Sequence, residues 1–140
     1  MGDPPIPSES PDIQAVRTAH RRYAEAFDGK SPDAVGAAFT DAGVLITSTG
    51  VTVARRAGLR DFAASWAASH ADVATRHTCA DHTVTRAAGR IESTCRATVE
   101  VLAADGTASV LLRAVYHDTL AIEAGQWRIA RREVIPEEAH

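Results

Sequence analysis

The stretch that decides the fold is RIESTCRATVEVL, residues 90–102. Its residues alternate between two faces, which is typical of a long, half-exposed antiparallel strand. Arginine, glutamate and threonine occupy one face. The other face holds Ile91, Ser93, Cys95, Ala97, Val99 and Val101. The stretch therefore predicts a strand with one side packed on a core and the other side in water.

Three more long strands surround this one in the sequence. Residues 73–86 precede it and reach it through the Ala88-Gly89 turn. Residues 108–122 follow the Asp105-Gly106 turn, and residues 126–135 follow Gly125. The predicted inward face of residues 108–122 holds Val110, Leu112, Ala114, Tyr116, Leu120 and Ile122.

The N-terminal half has a helical period instead. Ser-Pro-Asp occurs at residues 10–12 and 31–33, and each copy is a helix start in which serine caps and proline fits the first turn. We expect helices over 11–27, 32–39 and 56–69, with a hairpin of residues 44–46 and 51–54 between the second and the third. The stripe of the first helix holds Ile13, Val16, His20, Tyr23 and Phe27. The stripe of the third helix holds Leu59, Phe62, Ala63, Trp66 and Ala67.

Helices first and strands later predict an α+β fold, a cone-shaped, curved antiparallel sheet wrapped around three helices with one central pocket. The 140 residues suit one domain. We expect a disordered tail over residues 1–10, the domain over 11–136 and a frayed end over 137–140.

Composition and charge exclude several classes of function. The net charge is −3 and no basic stripe is present, so we expect no nucleic-acid partner. No uncharged run is long enough to cross a membrane, and the N-terminus lacks the pattern of a signal peptide, so we expect a cytoplasmic protein. Cys79 and Cys95 form no CxxC pair and are interpreted as small buried thiols in a reducing compartment.

Three motifs resemble the SnoaL-like group of the nuclear-transport-factor-2-like superfamily. They are residues 23–28 (YAEAFD) with Phe39 and Asp41, residues 76–82 (RHTCADH), and residues 115–118 (VYHD) with 125–132 (GQWRIARR). The resemblance covers residues 13–135 and implies the cone-shaped fold. The resemblance restricts the function much less than the fold, because proteins of this fold include isomerases, dehydratases, cyclases and binding modules.

The resemblance implies a catalytic pair, with His77 as the proton acceptor and Asp28 as the residue that holds it. A histidine suits this role because its ordinary pKa lies near neutrality. Asp28 ends the first helix, where the negative end of the helix dipole would raise the pKa of its carboxyl group. Burial would raise this pKa further if the carboxylate enters an apolar hollow. The alternative for Asp28 is an exposed residue of an Asp-Gly turn, and for His77 a structural histidine.

Other residues are predicted to bind substrate. Tyr23 and Tyr116 are either core residues or donors to a substrate oxygen. Asp118 interrupts an apolar face and needs a partner, which Arg128 or Arg132 could supply. Arg132 also matches an arginine of the dehydrochlorinase-like pattern that binds the substrate or the leaving group. That relative has a lysine on the first helix near the position of Ala26, and alanine cannot play that role, so the sequence does not favour halide elimination. The predicted substrate-binding residues are Tyr23, Phe27, Trp66, Asp81, Tyr116, Asp118 and Arg132.

A metal site is not expected. In a regular strand Asp81 and His82 point to opposite faces, so Asp81 would share the side of His77 and His82 would be exposed. His77, Asp81 and His82 therefore cannot converge on one ion, and no HxH or HExxH motif is present.

The sequence therefore favours a cofactor-independent lyase, isomerase or cyclase acting on a small, largely apolar, polyketide- or steroid-like substrate. The first alternative is a non-catalytic small-molecule-binding or dimerisation module, and the second is an epoxide hydrolase using Asp118 and Arg132. Relatives of this shape pair or trimerise through the outer sheet face, so a homo-oligomer is also expected.

Overall fold

The computed structural model of the protein describes residues 10–137. Apart from Ser10 and Glu137, the predicted tail (1–10) and frayed end (137–140) lie outside the described residues. The helices are α1 (Pro11–Asp28), α2 (Pro32–Ala38) and α3 (Arg55–Ser69). The strands are β1 (Phe39–Ile46), β2 (Thr52–Ala54), β3 (Ala74–Ala87), β4 (Arg90–Leu102), β5 (Ala108–Glu123) and β6 (Gln126–Pro136). All of the predicted elements are present. The ends of β4 agree with the prediction, β1 begins at Phe39 and not at residue 44, and the other ends differ by no more than a few residues.

The six strands form one open, curved sheet in the order β2-β1-β6-β5-β4-β3. Helix α1 packs on β3, β4 and β6, and α3 packs on β1 and β2, which gives the predicted cone. The expectation of an all-antiparallel sheet is wrong in one place, because β1 runs parallel to β6. Helix α2 ends at Ala38 and β1 begins at the next residue, Phe39. With this connection β1 lies beside β6 and runs in the same direction.

The core lies between the helices and the inner sheet face. The predicted inward residues of β4 from Ile91 to Val99 are buried, as are Ala114, Tyr116 and Leu120 of β5. Val110 and Ile122, however, are 47% and 59% exposed, so their predicted place in the core is wrong. Shifts in the strand pairing, at Val99/Glu100 between β4 and β5 and at Thr119/Leu120 between β5 and β6, change which residues face inward near the strand ends.

Strand β3 contains a bulge that decides the layout of the site. Its pairing with β4 shifts between Ala80 and Thr83, and Asp81 has a left-handed φ of 55°. Thr75, His77 and Cys79 face inward before the bulge, and His82 takes the next inward place. The expectation that Asp81 faces inward and His82 faces water is therefore wrong, because the bulge reverses the alternation.

Within residues 10–137, no helix is both long enough and apolar enough to span a membrane.

Candidate active site

A cavity of about 850 Å³ lies between α1 and β3. It differs from the expected central pocket, because the interior of the cone is filled by the rings of Tyr23, Phe27 and Tyr116 and by Arg132. Its lining residues are Ile13, Arg17, His20, Arg21, Ala24, Glu25, Asp28, His77, Thr78, Cys79, Ala80, Asp81 and His82. A small molecule would therefore reach Asp28 and His77 from the side of the cone.

Asp28 and His77 meet at the wall of this cavity. The Asp28 Oδ1 and His77 Nδ1 atoms are 2.5 Å apart. The backbone N–H of His77 donates to Asp28 Oδ2 at 2.9 Å, and the Thr75 hydroxyl donates to Oδ1 at 2.9 Å. Helix α1 ends at Asp28 and β3 brings Thr75 and His77 onto one face, so two elements fix the carboxylate from three directions.

The pKa of Asp28 is lowered, whereas the helix dipole and burial were expected to raise it. Burial does raise this pKa, but hydrogen bonds from the side chain and the backbone of His77 and from Thr75 outweigh it. Asp28 is therefore an ionised carboxylate at neutral pH. It is suited to holding and stabilising a protonated imidazole rather than to acting as a base itself.

The ring of His77 is enclosed by aromatic side chains, and only 8% of its side chain is exposed. Phe27 stacks on it with 5.6 Å between ring centroids, and Tyr23 and Trp66 approach at 6.1 and 5.8 Å. An ionised carboxylate only accepts hydrogen bonds, so a neutral His77 carries its proton on Nδ1. The lone pair is then on Nε2, which is the ring atom available to accept a proton.

A second polar group lies deeper, in the core. The fully buried guanidinium of Arg132 donates to both oxygens of Asp118, each at 2.8 Å. It is also sandwiched between the rings of Tyr23 and Tyr116, at 4.2 and 4.1 Å from their centroids. Burial raises the pKa of Asp118, but Arg132 and His20 outweigh it and hold that pKa at about 2. The Asp118–Arg132 pair is thus a buried ion pair in the centre of the cone.

The structure places the predicted substrate-binding residues in two groups. Tyr23, Phe27 and Trp66 surround the His77 ring, while Tyr116, Asp118 and Arg132 lie behind them in the core. None of these six borders the cavity. Asp81 does border it, as an exposed residue 3.9 Å from Arg96. Contact of these seven residues with a substrate stays a prediction.

A cluster of two histidines and a thiol was not predicted from the sequence, and its two histidines border the same cavity. His20 Nε2–H donates to Asp118 Oδ2 at 2.8 Å, and His20 Nδ1 lies 3.2 Å from His82 Nε2 and 3.8 Å from Cys95 Sγ. One signal was visible, because His20 falls on the apolar stripe of α1 and a buried histidine needs polar partners. The contact with His82 depends on the bulge in β3, which the sequence did not reveal.

Comparisons with known proteins agree with this architecture. A profile of the SnoaL-like domain matches residues 8–133. Among curated proteins, none matches the sequence significantly. Solved structures with the same fold include Aln2 from a Streptomyces species (23% identity, 91% of this chain and 93% of that chain, TM-score 0.83) and ActVI-ORFA from Streptomyces coelicolor (21%, 91% and 98%, TM-score 0.82).

A third similar structure comes from Novosphingobium aromaticivorans and bears a provisional name, scytalone dehydratase. It is 15% identical over 90% of this chain and 84% of that chain, with a TM-score of 0.75. At these identities the solved structures establish the fold, whereas the profile match covers nearly the whole chain. The chain belongs to the SnoaL-like domain family.

Proposed function

We propose that this protein is a cofactor-independent lyase, isomerase or cyclase that moves protons on a small, largely apolar, polyketide- or steroid-like molecule. One observation carries the proposal, the 2.5 Å contact between Asp28 and His77 at the wall of a cavity of about 850 Å³. A cavity of this size suits a molecule of a few fused rings. The family resemblance and the provisional name of the Novosphingobium structure favour the same class of reaction.

In the proposed mechanism, His77 Nε2 takes a proton from a carbon or hydroxyl group of the substrate. The ring becomes an imidazolium, and the ionised Asp28 stabilises the new positive charge through Nδ1–H. The same proton then returns to another atom of the substrate, or to a leaving hydroxide in a dehydration. The aromatic rings around His77 exclude water from the ring and so strengthen its interaction with the carboxylate.

The pair of Asp118 and Arg132 does not favour the epoxide-hydrolase alternative. Both side chains are buried, they bond to each other through two hydrogen bonds, and neither borders the cavity. A binding module of the same fold remains the second candidate, since the cavity would bind a ligand whether or not His77 reacts with it. The two candidates differ in whether a bound molecule is converted.

A test uses aromatic polyketide-like ketones and steroid enones, incubated with the protein and followed by liquid chromatography with mass spectrometry. Dehydration or cyclisation with loss of water changes the mass, and isomerisation changes the retention time at an unchanged mass. We expect His77→Gln to lower the rate by about 10²–10⁴-fold, the usual contribution of a positioned acid or base. We expect Asp28→Asn to lower kcat more than it raises KM, because Asp28 acts on the imidazolium.

Asp61→Asn is the matched control, because Asp61 is an exposed carboxylate on α3 that does not border the cavity. It should leave the rate unchanged. Thermal-shift binding to the same compounds identifies the alternative. If the compounds bind equally to wild type, His77→Gln and Asp28→Asn and none of the three proteins converts them, the result favours the binding module and contradicts the proton-transfer proposal.

A further inference from the structure

The cluster formed by His20, His82 and Cys95 has the geometry of a metal site. One potential ligand atom from each residue, an imidazole nitrogen or the thiol sulfur, lies within 4.8 Å of the other two. In a tetrahedral zinc site with ordinary bond lengths, two nitrogens are separated by about 3.3 Å, and a nitrogen and a sulfur by about 3.6 Å. The observed distances are 3.2 Å from His20 Nδ1 to His82 Nε2 and 3.8 Å from His20 Nδ1 to Cys95 Sγ.

Asp118 orients His20 for this role. Its carboxylate only accepts hydrogen bonds, so His20 carries a proton on Nε2. In a neutral ring the lone pair is then on Nδ1, the atom that faces His82 and Cys95. A carboxylate behind a histidine in this way is the usual outer partner of a zinc-binding imidazole. Arg132 in turn fixes Asp118 with two hydrogen bonds.

The bulge in β3 makes the cluster possible. A regular strand would direct His82 to solvent, whereas the left-handed Asp81 turns it toward His20. The side chains come from α1, β3 and β4, so no local motif in the sequence could reveal them.

We propose that His20, His82 and Cys95 bind a borderline-soft divalent cation, zinc above all, beside the Asp28–His77 pair. Two imidazoles and a thiolate suit Zn²⁺ and do not suit Mg²⁺ or Ca²⁺, which prefer oxygen ligands. This proposal departs from the expectation that the chain binds no metal. The set rejected on the sequence was His77, Asp81 and His82, and the set that the structure brings together is different.

Cobalt(II) is the probe for this site, because a thiolate bound to Co²⁺ gives an intense charge-transfer absorption and a tetrahedral site gives visible bands. The untagged, full-length protein is treated with a chelator, kept reduced and titrated at mildly alkaline pH, where thiols and imidazoles release protons to a metal most readily. We expect one Co²⁺ per chain, both sets of bands, and displacement of the cobalt by Zn²⁺.

His82→Ala is the main variant, because His82 is only half-buried and alanine is tolerated there. We expect it to weaken Co²⁺ and Zn²⁺ binding by at least about 10-fold. Loss of a residue that only orients a metal ligand already weakens binding by about this factor, and His82 is proposed as a ligand itself. Cys95→Ser should remove the charge-transfer band. His117→Ala, which removes an exposed histidine of β5, is the matched control and should bind like wild type.

Asp28→Asn should also bind Co²⁺ like wild type, which separates this site from the proposed catalytic pair. Circular dichroism confirms that each variant is folded. If Cys95→Ser does not fold, the charge-transfer band of wild type and its weakening in His82→Ala still decide the question. Absence of the band in wild type, or equal binding by wild type and His82→Ala, would overturn the proposal. So would an equal loss of binding in His117→Ala.

Discussion

At the scale of single residues, Asp118 determines whether the charge of Arg132 can be buried. Arg132 is 0% exposed, and Asp118 is the carboxylate that accepts its hydrogen bonds. Removing one partner of a buried ion pair costs about 3–5 kcal/mol, because the other charge is left uncompensated. We therefore expect Asp118→Asn to lower the free energy of unfolding by about that amount, measured by urea denaturation in the presence of a chelator.

Asp81→Asn is the control for this change, since it makes the same substitution at an exposed position. Asparagine also tolerates the left-handed φ of residue 81, so we expect a change within about 0.5 kcal/mol. A loss of stability below about 1 kcal/mol in Asp118→Asn would show that Arg132 finds another partner, and that the pair is not the anchor of the core.

The sequence could predict the pairing of Asp28 with His77 but not that of His20 with His82. The first pair lies at a helix end and on a regular part of β3, and both residues fall in motifs of the family resemblance. The second pair depends on which residue after Ala80 faces inward on β3. The alternation of residue types does not reveal the bulge that decides this. The partner of Asp118 was predicted among two arginines, and only the register of β6 selects Arg132.

At the scale of elements, the bulge of β3 is a backbone feature with a measurable cost. Asp81 has a φ of 55°, a conformation that aspartate, asparagine and glycine tolerate and that β-branched residues avoid. We expect Asp81→Val to lower the free energy of unfolding by about 1–3 kcal/mol, because a β-branched side chain is strained in this conformation whereas aspartate is not. We expect Asp81→Gly to be close to neutral.

The same two variants also test whether the bulge orients His82. If valine straightens the strand, the alternation is restored, and His82 moves away from His20. NMR contacts between the two imidazole rings, present in wild type and Asp81→Gly, should then be absent in Asp81→Val. A valine variant with wild-type stability and wild-type ring contacts would show that the bulge is held by the sheet around it and not by residue 81.

The positions of the helices and strands could be predicted from the sequence, but which residues near the strand ends face inward could not. Helix starts and glycine turns are local signals, so the predicted ends of β4 agree with the structure. A shift in pairing depends on the neighbouring strand, which the local pattern does not contain. That is why Val110 and Ile122 were assigned to the core and are exposed, and why the parallel pairing of β1 with β6 was missed.

At the scale of the whole molecule, the order of elements was enough to predict the cone but not where it is hollow. Helices before strands select a small number of α+β arrangements, and the resemblance narrowed them to one. The position of the cavity depends on side-chain packing instead. Arg132 and two tyrosines fill the centre of the cone, and the cavity of the candidate site lies between α1 and the edge strand β3.

The outer face of the sheet is the surface through which we expect two copies to associate. Val115 and Ile135 are directly opposite each other on β5 and β6, on the face away from the buried Ala114 and Tyr116. Ile135 is 39% exposed and Val115 is half-buried, and such an apolar pair on a broad sheet is a suitable centre for an interface. A lysine at this position would place an unpaired charge in the middle of such a contact, which costs several kcal/mol.

We therefore expect Ile135→Lys to convert a dimer into a monomer in light-scattering measurements across a dilution series. Ile122→Lys makes the same substitution at a 59% exposed residue next to the β5–β6 turn and should leave the dimer intact. If both variants are monomeric, the interface extends to the turn. If both remain dimers, the copies meet through another surface. A monomeric wild type would instead leave the outer face in water, and its exposed isoleucine would then be an isolated apolar residue of the ordinary kind.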